Sequence, residues 1–171
     1  PRIFRLPTDG PKDKNIQDDV YVAVMGGGYG GRDDGVGSAL FVINLQDNAT
    51  PGKVEKVIEV RDNPSIDIIN SIPGSPVVIT ADTSRGIKYT GALVYTNDFE
   101  GKITKYNLTN MEDDGSRNPI KLYDHTTLLS IDASTINGRY QYHSMDAGIG
   151  KTSKNMWLFS GTGDYERLTY S

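Results

Sequence analysis

The chain has 171 residues, of which 36% are hydrophobic and 23% charged, with a formal net charge of −4 and no cysteine. The lack of cysteine excludes disulfides, thiolate metal sites and cysteine nucleophiles within the chain. The negative charge and the scattered Lys and Arg argue against nucleic-acid binding, and no apolar stretch reaches the roughly 18 residues of a transmembrane helix.

Short apolar runs, rich in β-branched and aromatic residues, are bounded by Gly, Pro, Asn or Asp along the whole chain. Such runs predict strands, and no window shows the periodicity of an amphipathic helix. In chain order, the predicted strands cover residues 20–25, 39–45, 53–60, 76–80, 92–96, 102–108, 119–123, 140–146 and 156–160. The sequence therefore predicts an all-β protein.

The strand pattern repeats. Similar runs ending in a small, polar or acidic turn start at Val22, Leu93 and Leu158, roughly 60–70 residues apart. A four-stranded antiparallel unit at this spacing is typical of a β-propeller blade, and a β-sandwich is the main alternative.

The repeat predicts that residues 1–171 are part of one β-propeller domain, with blade units at about 20–60, about 75–124 and an incomplete unit at 140–171. Because propellers close with about four to eight blades, about two and a half blades form only a segment of one. We therefore expect further blades in the parent protein.

Three features of the sequence are candidates for a binding or metal site: the glycine run, the two histidines and the Asp82 segment. The run Gly26-Gly-Gly-Tyr-Gly-Gly31 follows a strand, but a second strand follows it instead of a helix, which predicts a loop and not a phosphate site. His125 and His143 are the two histidines, and their spacing matches no metal motif, so a structural role is expected.

The segment Asp82-Thr-Ser84-Arg-Gly86 has a carboxylate, a hydroxyl and a Gly at the offsets of a calcium loop. Asp82 and Ser84 are therefore the candidate metal ligands, and calcium is the one candidate ion. An ordinary turn is the alternative, because Arg85 and Lys88 add positive charge. The sequence predicts no catalytic residue and no other cofactor.

Several stretches resemble the blade motifs of one family. The stretch Asn97-Asp-Phe-Glu-Gly-Lys-Ile-Thr-Lys-Tyr-Asn-Leu108 resembles its Gly-Asp-x-x-Gly-Asn-x-Trp-Arg-x-Asp-Leu motif, with Lys-Tyr in place of Trp-Arg. Met145-Asp-Ala-Gly-Ile-Gly150 followed by Trp157-Leu-Phe-Ser-Gly-Thr-Gly-Asp164 resembles a later strand, and residues 26–29 with 39–45 resemble an earlier blade. In the order of these motifs along the sequence, the chain resembles the PilY/PilC-type proteins found with bacterial type IV pili.

The resemblance implies the C-terminal β-propeller of a large secreted pilus-tip adhesin and pilus biogenesis factor without enzymatic activity. It implies roles in pilus assembly, surface attachment and twitching motility, at the pilus tip or outer membrane. The implied partners are minor pilins or the pilus tip, a host or abiotic surface, and the rest of its own propeller and N-terminal region. A calcium loop precedes the Asn97-like motif in the family, and Asp82 is the carboxylate that corresponds here.

Two other functions stay open. A PQQ-type quinoprotein dehydrogenase is also a propeller, and Asp98-x-x-Gly101-Lys102 resembles its repeat motif. Such an enzyme needs tryptophans to stack on the quinone, whereas Trp157 is the one tryptophan here. The other alternative is a non-catalytic structural scaffold.

Overall fold

The structure, a computed structural model, describes residues 1–6, 19–29, 37–47, 49–61, 70–80, 91–109, 122–134 and 136–164. These residues form ten strands and no helix, so the described chain has no helix that could cross a membrane. The strands are β1 (Arg2–Leu6), β2 (Val20–Gly26), β3 (Ala39–Asn44), β4 (Val54–Glu59), β5 (Val77–Thr80), β6 (Gly91–Asn97), β7 (Lys102–Thr109), β8 (His125–Ser130), β9 (Asp146–Ile149) and β10 (Met156–Phe159). The predicted all-β class is confirmed.

The strands form three antiparallel sheets, and within each sheet neighbours in space are neighbours in the chain. The first sheet is β1-β2-β3-β4, the second β5-β6-β7-β8, and the third pairs β9 with β10. The first two sheets share a register, since Val22 pairs with Asn44 and Leu93 with Asn107. Val22 and Leu93 are therefore equivalent positions of a structural repeat.

The second sheet lies between the other two. Alternate residues of a strand point to opposite sides of a sheet, so the two sides of the second sheet contact different neighbours. Ala92 and Val94 in β6 pack in one core cluster with the first sheet, whereas Leu93 and Tyr95 pack in another with the third. The first cluster consists of Phe4, Leu6, Val22, Val24, Leu40, Val42, Ile58, Val60, Ile72, Ala92, Val94, Tyr106 and Leu108. Each fully buried side chain of this kind contributes about 1.5–3 kcal/mol, so the contact between the first two sheets stabilises the fold.

Each sheet thus has two faces with different neighbours. We call the side turned toward the earlier sheet in the chain the preceding face and the opposite side the following face. Val22 lies on the following face of the first sheet and Leu93 on the following face of the second. Equivalent positions therefore make equivalent contacts in both sheets.

The third unit departs from the predicted register by one residue. The repeat placed Leu158 at the position of Leu93, but Leu158 pairs with Ala147 and packs back against the second sheet. It lies on a preceding face, as Val94 does. A shift of one residue moves a side chain to the other side of a sheet, and the sequence pattern of a two-stranded piece does not distinguish the two registers.

Two observed strands were not predicted, and two predicted strands differ from the structure where their residues are described. β1 and β8 were missed, and all six residues of β8 are exposed, so no buried alternation marks that strand. Of the strand expected at 119–123, Leu122 and Tyr123 form a turn and residues 119–121 lie outside the described residues; the described strand that pairs with β7 on this side is β8. Of the inner strand expected at 140–146, only Asp146 belongs to a strand, and the amide of Gln141 donates instead to the carbonyl of Phe99 in the turn between β6 and β7.

Candidate functional site

The turn between β6 and β7 carries the motif Asp98-Phe-Glu-Gly-Lys102. The amide of Gly101 donates to the carbonyl of Asp98 at 3.0 Å, and the amide of Asp98 donates to the carbonyl of Lys102 at 3.0 Å. Gly101 has a φ of 84°, as expected of a tight hairpin turn closed by a left-handed glycine. Asp98 Oδ1 also accepts the amide of Lys102 at 2.8 Å. The Asp and the Gly of the motif are therefore required by the turn itself.

This turn lies between backbone segments on both sides. The amide of Phe99 donates to the carbonyl of Ser71 at 2.7 Å, and the amide of Ala133 donates to the carbonyl of Glu100 at 2.9 Å. The carbonyl of Phe99 accepts the amide of Gln141 at 3.3 Å. The turn therefore fixes the segment before β5 and the segment after β8 to the same end of the second sheet.

Buried ionisable groups meet at the turn. Asn70 Nδ2 donates to Asp98 Oδ2 at 2.9 Å and to Glu100 Oε2 at 2.7 Å, and Lys102 Nζ lies 4.0 Å from Glu100 Oε2. All four residues are buried. Loss of water raises the pKa of Asp98 to about 7, against the opposing hydrogen bonds from Lys102 and Asn70. This carboxyl cluster can take up a proton near neutral pH, but its burial suits it to packing and not to substrate binding.

Four aromatic rings cover the outside of the turn, and we call them the aromatic cluster: Tyr29, Phe99, Tyr140 and Tyr142. Phe99 stacks on Tyr140 with ring centroids 4.6 Å apart and meets Tyr142 edge-on at 4.8 Å. Tyr29 meets Phe99 edge-on at 5.4 Å, and the side chain of Tyr29 is 64% exposed. Rings with hydroxyls at a surface can make both apolar contacts and hydrogen bonds with a partner.

The first strands of the three sheets meet around one cavity of about 480 Å³. Residues 2–4 of β1, all of β5 and residues 146–149 of β9 line it, together with Met145. Arg2 Nε donates to the carbonyl of Pro76 at 3.2 Å and joins the first sheet to the segment leading into β5. The first strands of the three sheets therefore line a common cavity.

The calcium ligands predicted from sequence lie outside the described residues, whereas both histidines are described. Asp82 and Ser84 lie outside the described residues, so calcium binding there stays a prediction. Among the residues that are described, no three His, Asp or Glu side chains are grouped so as to hold a metal ion. His125 is in β8 beside the ring of Tyr106, whereas His143 lies in the loop before β9, where its carbonyl accepts from Asn97 Nδ2.

The start of the glycine run serves the fold. The amide of Gly27 donates to the carbonyl of Ala39 at 2.9 Å, and that of Gly28 donates to the carbonyl of Ile72 at 3.0 Å. These two amides are therefore engaged within the protein and do not form a phosphate cradle. Residues 30–31 of the run lie outside the described residues.

Sequence reasoning missed the aromatic cluster and the buried partner Asn70. The alternation of Tyr140 and Tyr142 and the ring in the turn, Phe99, were visible signals, but their meeting depends on three segments distant in sequence. Comparison of the chain with family models, with curated proteins and with solved structures found no match.

Proposed function

We propose that this chain is a segment of a β-propeller in the head of a type IV pilus-associated adhesin of the PilY/PilC type, with no chemistry of its own. The observation that carries the proposal is the stacking of three antiparallel sheets in chain order, with their first strands around one cavity. In this function the segment supports pilus assembly, surface attachment and twitching motility.

The connectivity favours a propeller over a sandwich. Immunoglobulin-like sandwiches place their strands in two sheets through Greek-key connections. Here each described sheet runs in simple chain order, and the second sheet is covered on both faces. Blades of a propeller are meanders of this kind, arranged around a central channel.

The geometry of the turn favours the adhesin over the quinoprotein. The residues that resemble both families, Asp98 and Gly101, are accounted for by turn formation. The tryptophan that a quinone site would need for stacking, Trp157, lies on the outer face of the third sheet and is 57% exposed. The motif resemblance beyond the turn is to the pilus proteins.

The aromatic cluster is the surface that we assign to contact with a partner. It combines the exposed ring of Tyr29 and the half-buried ring of Tyr142, both with phenolic hydroxyls, beside Phe99 in a turn held by backbone hydrogen bonds from both sides. Tyrosine offers large amphipathic contact area with few rotatable bonds, which lowers the entropy lost on binding. A host or abiotic surface, or a minor pilin, is the proposed partner.

Deletion of this segment in the parent bacterium tests the proposal, with secretion of the remaining protein checked by immunoblot. We expect loss of piliation, adhesion or twitching. Tyr29→Ser should weaken adhesion while secretion stays normal, and Leu128→Ser, at an exposed position of the edge strand β8, is the matched control. Normal pilus function together with loss of a dehydrogenase activity would overturn the proposal in favour of the quinoprotein.

A further inference from the structure

Two carboxyl groups share one amide beneath the turn between β6 and β7. Asn70 Nδ2 donates to Asp98 Oδ2 at 2.9 Å and to Glu100 Oε2 at 2.7 Å, so the two carboxyl groups are close neighbours. Lys102 is the one cation of this group, with its Nζ 4.0 Å from Glu100 Oε2. We call these four residues the buried polar cluster. Buried carboxyl groups this close do not both ionise easily, and the one beside the cation ionises first. Asp98 is therefore the group that keeps a proton.

Glu100 and Lys102 are the charged groups that Asp98 faces within the described part of the chain. Burial and, to a smaller extent, the Asp98 carboxyl raise the pKa of Tyr106, so this neighbour in β7 is neutral. The segments packed against the turn are the one before β5, the one after β8 and the loop before β9. The charged residues on these described segments are exposed to solvent: Asp132, Arg139 and His143. The balance of charge around Asp98 is therefore set inside the turn.

The segment that carries Asn70 also joins the turn to the glycine run. Within residues 70–72, the two carbonyl groups after Asn70 accept the amide of Phe99 at 2.7 Å and that of Gly28 at 3.0 Å. Phe99 and Tyr29, the residue after Gly28, belong to the aromatic cluster, and their rings meet edge-on at 5.4 Å. The hydrogen bonds of Asn70 to the two carboxyl groups therefore fix the segment that positions both rings.

The other two rings are held through the turn as well. The carbonyl of Phe99 accepts the amide of Gln141 at 3.3 Å, and Gln141 lies between Tyr140 and Tyr142. Phe99 stacks on the first of these rings at 4.6 Å and meets the second edge-on at 4.8 Å. Each ring of the aromatic cluster is thus on, or next to, a residue whose backbone is bonded to the turn or to residues 70–72.

We propose that the buried polar cluster is a pH-sensitive switch, which holds the aromatic cluster together while it keeps its proton and loosens it once the proton is lost. Without the proton, two carboxylates share one lysine away from water, and a buried charge that is not balanced within its cluster is costly. Opening of the turn returns both carboxylates to water. Burial raises the pKa of Asp98 from 3.8 to about 7, so the stabilisation is complete below the lower value and is lost as pH rises through the upper one.

Hydrogen exchange measures the opening of the turn in the whole 171-residue chain. With these two pKa values, opening should be about tenfold easier at pH 8 than at pH 6, and the amides of Phe99 and Gln141 should lose protection by that factor after correction for intrinsic exchange. The amide of Val94, in the central strand β6, is the reference. It should stay better protected than Phe99 at each pH, because the turn opens while the sheet stays folded. Equal protection of Phe99 and Val94 would mean that the turn opens only with the whole sheet, and the switch would be abandoned.

Three variants separate the cluster from other sources of pH dependence. Asp98→Asn keeps an oxygen for the amide of Lys102 but cannot titrate, so the loss of protection between pH 6 and pH 8 should vanish. Glu100→Gln removes the neighbouring negative charge, so the pKa of Asp98 should fall and the loss should move to lower pH. Asp146→Asn, at an exposed carboxyl outside the cluster, should behave as the unchanged chain does. The same loss in Asp98→Asn, or no loss in the unchanged chain, would disprove the switch.

The effect on partner contact rests on the function proposed above. Adhesion through the aromatic cluster should be weaker at pH 8 than at pH 6, and this difference should be absent in Asp98→Asn. Exchange is measured without a partner, so failure of the switch and failure of the adhesin proposal are distinguishable. Adhesion that is independent of pH, together with exchange that depends on it, would support the switch and remove the aromatic cluster from partner contact.

Discussion

At the scale of single residues, the carboxyl of Asp98 makes the stability of the folded chain depend on pH. Burial raises its pKa from 3.8 to about 7, so between these values the folded chain binds a proton that the unfolded chain has released. Stability therefore falls as pH rises through this window and loses no more above about pH 7. With 1.36 kcal/mol for each pKa unit, we expect a loss of about 2–4 kcal/mol between pH 4 and pH 7.5.

Urea unfolding at a series of pH values measures this slope. Asp98→Asn removes the titrating group and should flatten the dependence, whatever its effect on absolute stability. Asp146→Asn is the control, because Asp146 is exposed and its Oδ1 accepts the amide of Ala147, which an amide oxygen can also do. An unchanged slope in Asp98→Asn would show that the carboxyl does not titrate in this range.

Gly101 is needed for its left-handed conformation and also because a side chain there would meet Ile131. The second requirement can be measured separately from the first. Gly101 and Gly52 have similar positive φ values, 84° and 81°. A methyl group at position 101 would overlap the side chain of Ile131, whereas at position 52 it would meet nothing within 4 Å. Both Ala variants should lose about 1–2 kcal/mol for the left-handed conformation, and Gly101→Ala should lose a further 1–3 kcal/mol, roughly, for overpacking. Equal losses in urea unfolding would contradict the packing of Ile131 against the turn.

At the scale of elements, β10 tests the assignment of sheet faces. Leu158 packs against the second sheet, and its neighbour Trp157 lies on the open side. Leu158→Ala should therefore lower the free energy of unfolding by about 1–2 kcal/mol, and Trp157→Ala by less than about 0.5 kcal/mol in dilute protein. Unfolding followed by circular dichroism avoids dependence on the tryptophan signal. A larger loss for Trp157→Ala than for Leu158→Ala would instead support the register in which Leu158 is equivalent to Leu93.

The strands that the sequence predicted well include all four central strands and also the edge strands β4 and β5. β2, β3, β6 and β7 are central strands, and their buried alternation or continuous apolar runs follow from packing on neighbouring sheets. The edge strand β8 carries no such pattern because it buries no side chain. The Asp and Gly of the motif Asp98-x-x-Gly101 are typical of a turn. The burial of the Asp98 carboxyl could not be predicted from the sequence, because its partner Asn70 lies 28 residues away.

At the scale of the whole chain, the three sheets depend on one another. Among the described sheets, the second is covered on both faces, while the first and third are each covered by a neighbouring sheet on one face. In stacked repeats, stability is a sum of unit terms and nearest-neighbour interface terms, and uncovered terminal units are the weakest. Loss of structure is therefore expected to begin at the third sheet, which has only two described strands.

The last prediction concerns residues 1–171 expressed alone. Because no other described sheet covers one face of the first sheet and one face of the third, this segment should unfold over a broad range of temperature, with a calorimetric enthalpy that differs from the van't Hoff enthalpy. Circular dichroism and differential scanning calorimetry make the measurement. A sharp two-state transition in a monomer would mean that the described sheets form a complete domain, and the propeller segment would have to be abandoned.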